Sequence, residues 1–421
     1  MTTASVTSTE LVDVVYVTSR FPKVTETFVI DEIVALRRLG VAVRVLSLLP
    51  TNEDVVQPAA AELVASARFG SRSLPRLLAA QGHWLRRRPS LLLRLWARVL
   101  LRNRSSPGEW AKSVVTALVA ADWARSLEGT RIDRFHAHWA THPALAAYLM
   151  SRLLGVPYGF TAHAHDLYCE NGMLGDKLEA ADLAVTISQY NVDLLRSRFG
   201  SSADGVQLVH CGVDRSLFRV VPARPGSLDV LRLVCVASLN DYKGHRHLLD
   251  ALVLLREQGQ RATCQLVGDG PLRQELEEQA ARLGLGDAVE FLGRRTAPEV
   301  RRLLEECDAF VLPSVKTADG MMEGIPVALM EALASGRPAV ASRLSGIPEL
   351  VEDGVNGLLV PPADPQALAE ALLRLASDPD LRRSLAEAGP ARIADGFDQQ
   401  ANVRRLLGYF TDRAALAAAQ R

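Results

Sequence analysis

At 421 residues the chain exceeds one ordinary hydrophobic core and is expected to divide into two domains of about 200 residues each. Its 48 basic residues are balanced by 48 acidic ones, which argues against bulk nucleic-acid binding and leaves only a local basic patch open. The five cysteines form no Cys-x-x-Cys pair, no run of about 18 apolar residues occurs, and the start MTTASVTSTE lacks a basic region followed by an apolar one, so zinc, disulfide frameworks and membrane spans are disfavoured and the cytoplasm is the default location.

The apolar run 12–19 predicts a strand, the spacing of Val29, Ile33 and Leu36 predicts a helix over 28–39, and 41–48 is strand-like again. That order opens a doubly wound parallel sheet, whose ligands gather at the carboxyl ends of strands. The loop 21–27 lies at such an end, with Thr25 placed as a helix N-cap. Residues 52–130 carry helical patterns and few strand signals. Within them, 84–104 reads as one basic amphipathic helix, with Arg94, Arg98 and Arg102 in one row and Leu92, Leu95, Trp96 and Val99 opposite. Two readings stay open for it: a lid helix packed on the first domain, which is preferred, and a helix lying on an anionic membrane.

A strand over 132–139 and another over 158–161 deliver His136, His138, His163 and His165 to strand ends, where this architecture opens on a cleft. Strands at 184–188 and 206–209 close the domain, Asp214 caps a turn, and PARPGS at 222–227 has the composition of a linker. A second sheet follows: strands at 231–237, 264–267, 288–293, 309–312, 339–342 and 357–360, alternating with helices at 245–258, 272–283, 298–307, 365–376 and 379–388. The tail 397–419 is helical.

Between two of those strands stands DGMMEGIPVALMEALASGRP, residues 319–338, with a helix expected over 326–335, from Pro326 to the stop at Gly336 and Pro338. Its body is apolar nearly all round, so Glu331 is expected to be buried and to need hydroxyls, amides or a cation as partner. Glu323 waits on the preceding loop, and a rise of about 1.5 Å per residue puts Glu331 roughly 8 Å up the axis, so the two carboxylates could grip separate parts of one extended ligand. The helix N-terminus favours phosphate.

Glu323 and Glu331, seven residues apart around Gly324, Ile325 and Pro326, resemble the E-x7-E motif of retaining glycosyltransferases of family four. By that resemblance Glu331 holds the ribose hydroxyls of a nucleotide sugar, while Glu323 and the Gly324 and Ile325 amides face the donor hexose. FPKVTETF resembles the N-terminal signature of exopolysaccharide-type members such as the colanic-acid enzymes. Thr161-Ala162-His163 resembles the T-x-H motif, which puts His163 on the donor sugar near the reacting carbon. VASLNDYKG at 236–244 resembles the phosphate-binding loop G-R-L-x-x-x-K-G, with Lys243 on the lysine and Ser238 where an arginine is usual, a departure that removes one expected cation. Gly293 and Arg294 would line the base pocket. Acceptor-side candidates are Thr25, Glu26, His138, His165 and Asp166.

The resemblance implies a GT-B fold, an α/β class with two facing doubly wound, Rossmann-like domains and an interdomain cleft: 1–221 on the acceptor side, with 52–130 as a helical segment; 222–396 binding the nucleotide sugar; and 397–421 crossing back to the first. It implies a metal-independent, retaining transferase of hexosyl or N-acetylhexosaminyl type, using Glu323, His163 and Lys243, with no cofactor. The donor is expected to be a UDP-sugar and the acceptor a hydroxyl in a polysaccharide, a lipid-linked oligosaccharide or a natural product such as an aminoglycoside antibiotic. No nucleic acid is expected as partner; location is cytoplasmic, with peripheral contact through 84–104 on the inner face of the plasma membrane as the variant. A nucleotide-sugar epimerase on the same fold and a non-catalytic nucleotide-binding subunit remain as alternatives, the latter because of Ser238.

Overall fold

In the computed structural model residues 12–23, 26–51, 58–103, 106–168 and 172–419 are described, the side chains of 58–61 and 413–419 excepted. The chain divides into two compact units, one of Met1–Thr186, Leu195–Gln207 and Val403–Arg421, the other of Ile187–Leu194 and Leu208–Asn402. The linker-like stretch 222–227 thus falls inside the second unit.

The first unit runs β1 (Asp13–Phe21), α1 (Thr27–Arg38), β2 (Ala42–Pro50), α2 (Pro58–Ser66), β3 (Arg68–Phe69), α3 (Leu74–Arg87), α4 (Pro89–Arg102), α5 (Pro107–Leu127), β4 (Arg134–His138), α6 (His142–Leu154), β5 (Tyr158–Ala162), α7 (Ala164–Tyr168), α8 (Leu174–Ala180) and β6 (Leu183–Thr186). Helix α9 (Gln189–Phe199) and strand β7 (Gln207–Leu208) follow, and the sheet has the order β3-β2-β1-β4-β5-β6-β7. Strands β3 to β6 pair in parallel, with Tyr16 opposite His136 and His138 opposite Thr161. Strands β4, β5 and β6 are buried at every position, as expected for a parallel sheet covered on both faces. The order reverses between β1 and β4, so the carboxyl ends of those strands and of β5 are where a ligand crevice opens.

The single amphipathic helix expected over 84–104 is two helices, because α3 ends at Arg87 and α4 starts afresh at Pro89, with Arg88 between them non-helical at φ −142°, ψ 60°. A proline clashes with a helical residue before it and takes the first helical position instead. The apolar side packs as predicted: Leu92, Leu95 and Val99 are buried, and Trp84 donates its indole N–H to Ala121 O at 2.9 Å. The arginine row is not simply solvated, since Arg98 donates to Tyr148 Oη at 2.8 Å and both Arg98 and Arg102 approach Asp176. Arg104 lies outside the described residues.

The second unit runs β8 (Val230–Val236), α10 (His245–Glu257), β9 (Arg261–Val267), α11 (Arg273–Arg282), β10 (Val289–Gly293), α12 (Ala297–Glu306), β11 (Ala309–Leu312), α13 (Val327–Ala334), β12 (Ala339–Ser342), α14 (Ile347–Leu350), β13 (Gly357–Val360), α15 (Pro365–Ser377), α16 (Pro379–Gly396) and α17 (Gln399–Ala419), which ends in the first unit. Its sheet has the order β10-β9-β8-β11-β12-β13, parallel throughout, with the reversal between β8 and β11. Helix α16 runs past the predicted stop at 388, carrying Pro390 in its interior.

Helix α13 is seated by α16 at a place with no room for a side chain: a Cβ on Gly389 would stand 2.9 Å from Leu333 O and 3.3 Å from Leu333 Cα. Backbone cannot yield there as a flexible side chain would. Gly389→Val should therefore cost about 1–3 kcal/mol of overpacking, read as a lower urea midpoint; an unchanged midpoint would show that α16 gives way freely.

Candidate active site

In the second unit the chain leaves β8 through Ala237 and Ser238 and enters a single 3-10 turn, Asp241–Lys243, before α10. Gly244 turns left-handed at φ +74°, and a Cβ there would collide with Pro313 O, so glycine is required for the loop to lie on the end of β11. Gly268, at φ +141°, meets the same loop from the other side, where a Cβ would collide with Ala237 O. Its N–H donates to Gly293 O at 2.9 Å, so Ser238, Gly268 and Gly293 form one neighbourhood, with Arg294 exposed beside it. The Ser238 hydroxyl accepts from the Asn240 amide at 2.9 Å. Two fully or nearly buried groups flank Lys243 without hydrogen-bond partners among the described residues: the Ser314 hydroxyl and the His245 ring, whose pKa burial and the nearby Lys243 charge pull down to about 4.

Lys243 and Glu323 meet directly in an ion pair, both side chains about six-sevenths covered, at 13% and 15% exposure. Burial pulls the Lys243 ammonium down, yet the Glu323 carboxylate and the Tyr242 ring outweigh it and its pKa ends above the ordinary lysine value. The sequence reading put these two groups on different parts of a ligand; the structure joins them. The loop carrying Glu323 is held from behind by Ser345, whose hydroxyl donates to Glu323 O and Gly324 O, and by Gly346, on which Ile325 packs.

Pro326 stands just before α13 as its N-cap, and the first intrahelical bond is Leu329 N–H to Pro326 O, which leaves the Val327 and Ala328 N–H groups ahead of the ladder. Leu329, Met330, Ala332 and Leu333 are buried, while Val327, Ala328 and Glu331 share a half-buried face. Glu331 is therefore less enclosed than its apolar neighbours in sequence predict: the helix is covered on most sides and open along the one stripe that includes it.

In the first unit the ends of β4 and β5 place two imidazoles side by side. His138 Nδ1 lies 3.1 Å from His163 Nε2, with ring centroids 5.4 Å apart, and His138 Nε2 lies 3.0 Å from Glu32 Oε1 on α1. Tyr16 donates its phenol to the same Oε1 at 2.6 Å. His136 pairs with the Thr161 hydroxyl at 2.9 Å. Phe28 and Trp139, both half-buried, stand 5.0 and 5.5 Å from the His163 ring, and Trp139 has a left-handed φ of 72°, an unusual backbone for a bulky residue and a common mark of functional sites. Burial and the neighbouring His138 hold His163 well below the ordinary histidine range, so it is neutral at neutral pH.

Asp166 turns back under this cluster, accepting from His163 N–H at 2.7 Å and from Ala140 N–H, while buried Lys177 donates to Ala140 O. Burial raises Asp166 to about 7 and lowers Lys177 to about 7, each offset in part by the charge of the other. His165 is exposed on α7. Glu26 sits at the N-cap of α1 without capping it and pairs with Lys23 at 2.6 Å; Thr25 lies outside the described residues. Glu32, Tyr16, Phe28, Trp139, Lys177 and Ser345 were not singled out from sequence, because each acts through a partner far along the chain. Among the described residues no group of three or more His, Cys, Asp or Glu side chains could hold a metal ion.

Comparison with known proteins matches two family models, glycosyltransferase family 4 over residues 25–217 and glycosyl transferases group 1 over residues 226–392. The putative colanic acid biosynthesis glycosyltransferase WcaL of Escherichia coli K12 is 31% identical over 403 residues, covering 92% of this chain and 96% of the relative. The amylovoran biosynthesis glycosyltransferase AmsK of Erwinia amylovora is 38% identical over 207 residues, 49% of this chain and 51% of that one. Among solved structures, Anabaena HepE in complex with UDP and glucose superposes with a TM-score of 0.69 at 20% identity, over 95% of this chain and all of that one.

The Asp166 network makes a stability statement. Asp166→Ala removes the acceptor for two buried N–H groups at about 1–3 kcal/mol each, so unfolding free energy should fall by roughly 2–6 kcal/mol. Asp166→Asn keeps an acceptor and should lose less. Equal losses in urea titration would mean that one remaining acceptor oxygen does not hold the loop, since Ala140 and His163 bond to different carboxylate oxygens.

Proposed function

The chain belongs to glycosyltransferase family 4, and from that membership we propose that it moves a hexosyl or N-acetylhexosaminyl group from a UDP-sugar to a hydroxyl acceptor in exopolysaccharide assembly, with retention and without a metal. The observation that carries this reading is the enclosed Lys243–Glu323 pair, set at the crevice end of β8 just ahead of the N-terminus of α13. Breaking a sugar–diphosphate bond leaves negative charge on the departing nucleotide, and fixed cations and amides aimed at that charge lower the barrier. Lys243 and the leading N–H groups of α13 are such donors, and a diphosphate would compete with Glu323 for the ammonium. Glu323 would then be released toward the hexose, Glu331 on its open stripe would take the ribose hydroxyls, and Gly293 and Arg294 would border the base.

The donor class is supported by the UDP-glucose bound in the related fold of Anabaena HepE. The acceptor class is supported by WcaL and AmsK, whose names place them in colanic acid and amylovoran biosynthesis, over a soluble natural product. His163, between Phe28 and Trp139, would meet the hexose. Retention is carried from the family resemblance, in which the leaving phosphate helps deprotonate the acceptor on the same face. Mass spectrometry of products from a matrix of nucleotide sugars and acceptors tests transfer, and incubation with donor alone separates it from epimerisation.

A peripheral membrane contact is favoured by one further observation: Leu74, Leu78, Leu85, Leu93 and Leu101 on α3 and α4 are each about half or more exposed, among exposed Arg86, Arg87, Arg94 and Arg102. No helix of the described residues is long and apolar enough to cross a membrane. Lipid-linked acceptors would be met at such a surface.

Turnover should persist in EDTA, and Lys243→Ala should lower kcat more than UDP affinity, since the worth of the cation grows as the leaving group gains charge. Activity abolished by EDTA and restored by magnesium or manganese would refute the metal-free reading. For the surface of α3 and α4, flotation with anionic vesicles should fall steeply as salt rises. Absent or salt-indifferent flotation would leave these helices as packing elements only.

A further inference from the structure

The polar chain behind His163 has a direction, and the direction follows from its first member. Tyr16 is fully buried, and burial together with the Glu32 charge holds its phenol well above the ordinary value, so the phenol keeps its proton and can only donate to Glu32 Oε1. An oxygen that accepts from Tyr16 also accepts from its other neighbour, His138 Nε2 at 3.0 Å, which must therefore carry a hydrogen. With His138 as a neutral imidazole its one N–H is spent on Glu32, so Nδ1 is bare and accepts from His163 Nε2 at 3.1 Å. His163, kept neutral by burial, has then spent its only hydrogen inward.

We propose that Glu32 and His138 are positioning residues that fix His163 as its Nε2–H tautomer, leaving Nδ1 as an acceptor that recognises a sugar hydroxyl rather than a carboxylate or phosphate oxygen. The second half rests on the reading of His163 as a sugar contact. The first half rests on the hydrogen-bond geometry from Tyr16 to His163, with the protonated Tyr16 phenol setting its direction. Helix α1 supplies two parts of this arrangement from one face, because Phe28 and Glu32 are four residues apart: the ring stands 5.0 Å from His163 and the carboxylate holds His138. Trp139 covers another side at 5.5 Å. An imidazole nitrogen with aromatic walls and a bare lone pair accepts from a hydroxyl, whereas an anionic oxygen brings no hydrogen and is repelled.

The test uses the full chain labelled with nitrogen-15 in histidine, in long-range proton–nitrogen correlation spectra, with His163→Gln assigning one ring among the nine histidines. In the unliganded protein His163 should show a protonated Nε2 and a bare Nδ1. Glu32→Gln keeps an oxygen to accept from both Tyr16 and His138 and should preserve that pattern. Glu32→Leu removes the acceptor and should mix or invert it. A protonated Nδ1 on His163 in the unsubstituted protein overturns the proposal, even if neither variant folds, and so does a tautomer indifferent to Glu32→Leu. In transfer assays Glu32→Leu should lower kcat roughly two- to tenfold, the worth of one hydrogen bond, with UDP affinity unchanged and Glu32→Gln close to the parent. The expected tautomers with undiminished transfer in Glu32→Leu would uphold the relay and overturn the sugar contact.

Discussion

Parallel pairing governs both units. A strand can join a parallel neighbour only through a crossover, so within each unit the carboxyl ends of its parallel strands open at one edge. The strand order reverses there, between β1 and β4 and again between β8 and β11, and the loops splay apart. His138 and His163 leave strands at the first such edge, while the loops bearing Lys243 and Glu323 follow β8 and β11 at the second. The second set reaches its place over glycines that let loops pass, Gly244 above all, while at the first Trp139 takes a left-handed φ directly after His138.

What the sequence made legible is what is local. Strands β11, β12 and β13 were readable to the residue because four-residue apolar runs bounded by turn formers have few alternatives. Lys243 was readable only through the resemblance of 236–244 to a phosphate-binding loop; the steric cause of the glycine after it, the collision that any side chain at 244 would suffer with Pro313 O, needs the fold. The hairpin of α3 and α4 was misread because an unbroken amphipathic period hid the effect of Pro89 on Arg88. Glu331 was over-buried by a reading that counted apolar neighbours along the chain but could not see which stripe of α13 stays open. Glu32 was not singled out; only the pairing of β1 with β4 brings His138 to it, 106 residues away.

The two candidate centres use charge differently. At Lys243 opposite charges meet in a largely enclosed pair, an arrangement stable only while each has a partner, since removing one leaves the other desolvated. Such a pair yields readily to a ligand carrying both signs of complementarity. Around His163 the groups are imidazole rings joined to the Glu32 carboxylate on one side and held by Asp166 at the backbone, so orientation of hydrogen bonds defines what fits.

Lysine is scarce in this chain, and its placement has a practical side. Of five lysines, Lys177 is fully buried and Lys243 largely so, while Lys112 and Lys316 are exposed and Lys23 half-exposed. Nearly all surface cation is guanidinium, which neither deprotonates nor acylates under mild conditions. Amine-reactive dyes or resins would therefore attach at few side chains, Lys23 beside Glu26 among them, and spare both enclosed ammonium groups. The protein can be tethered through its amines with its two internal lysines chemically intact.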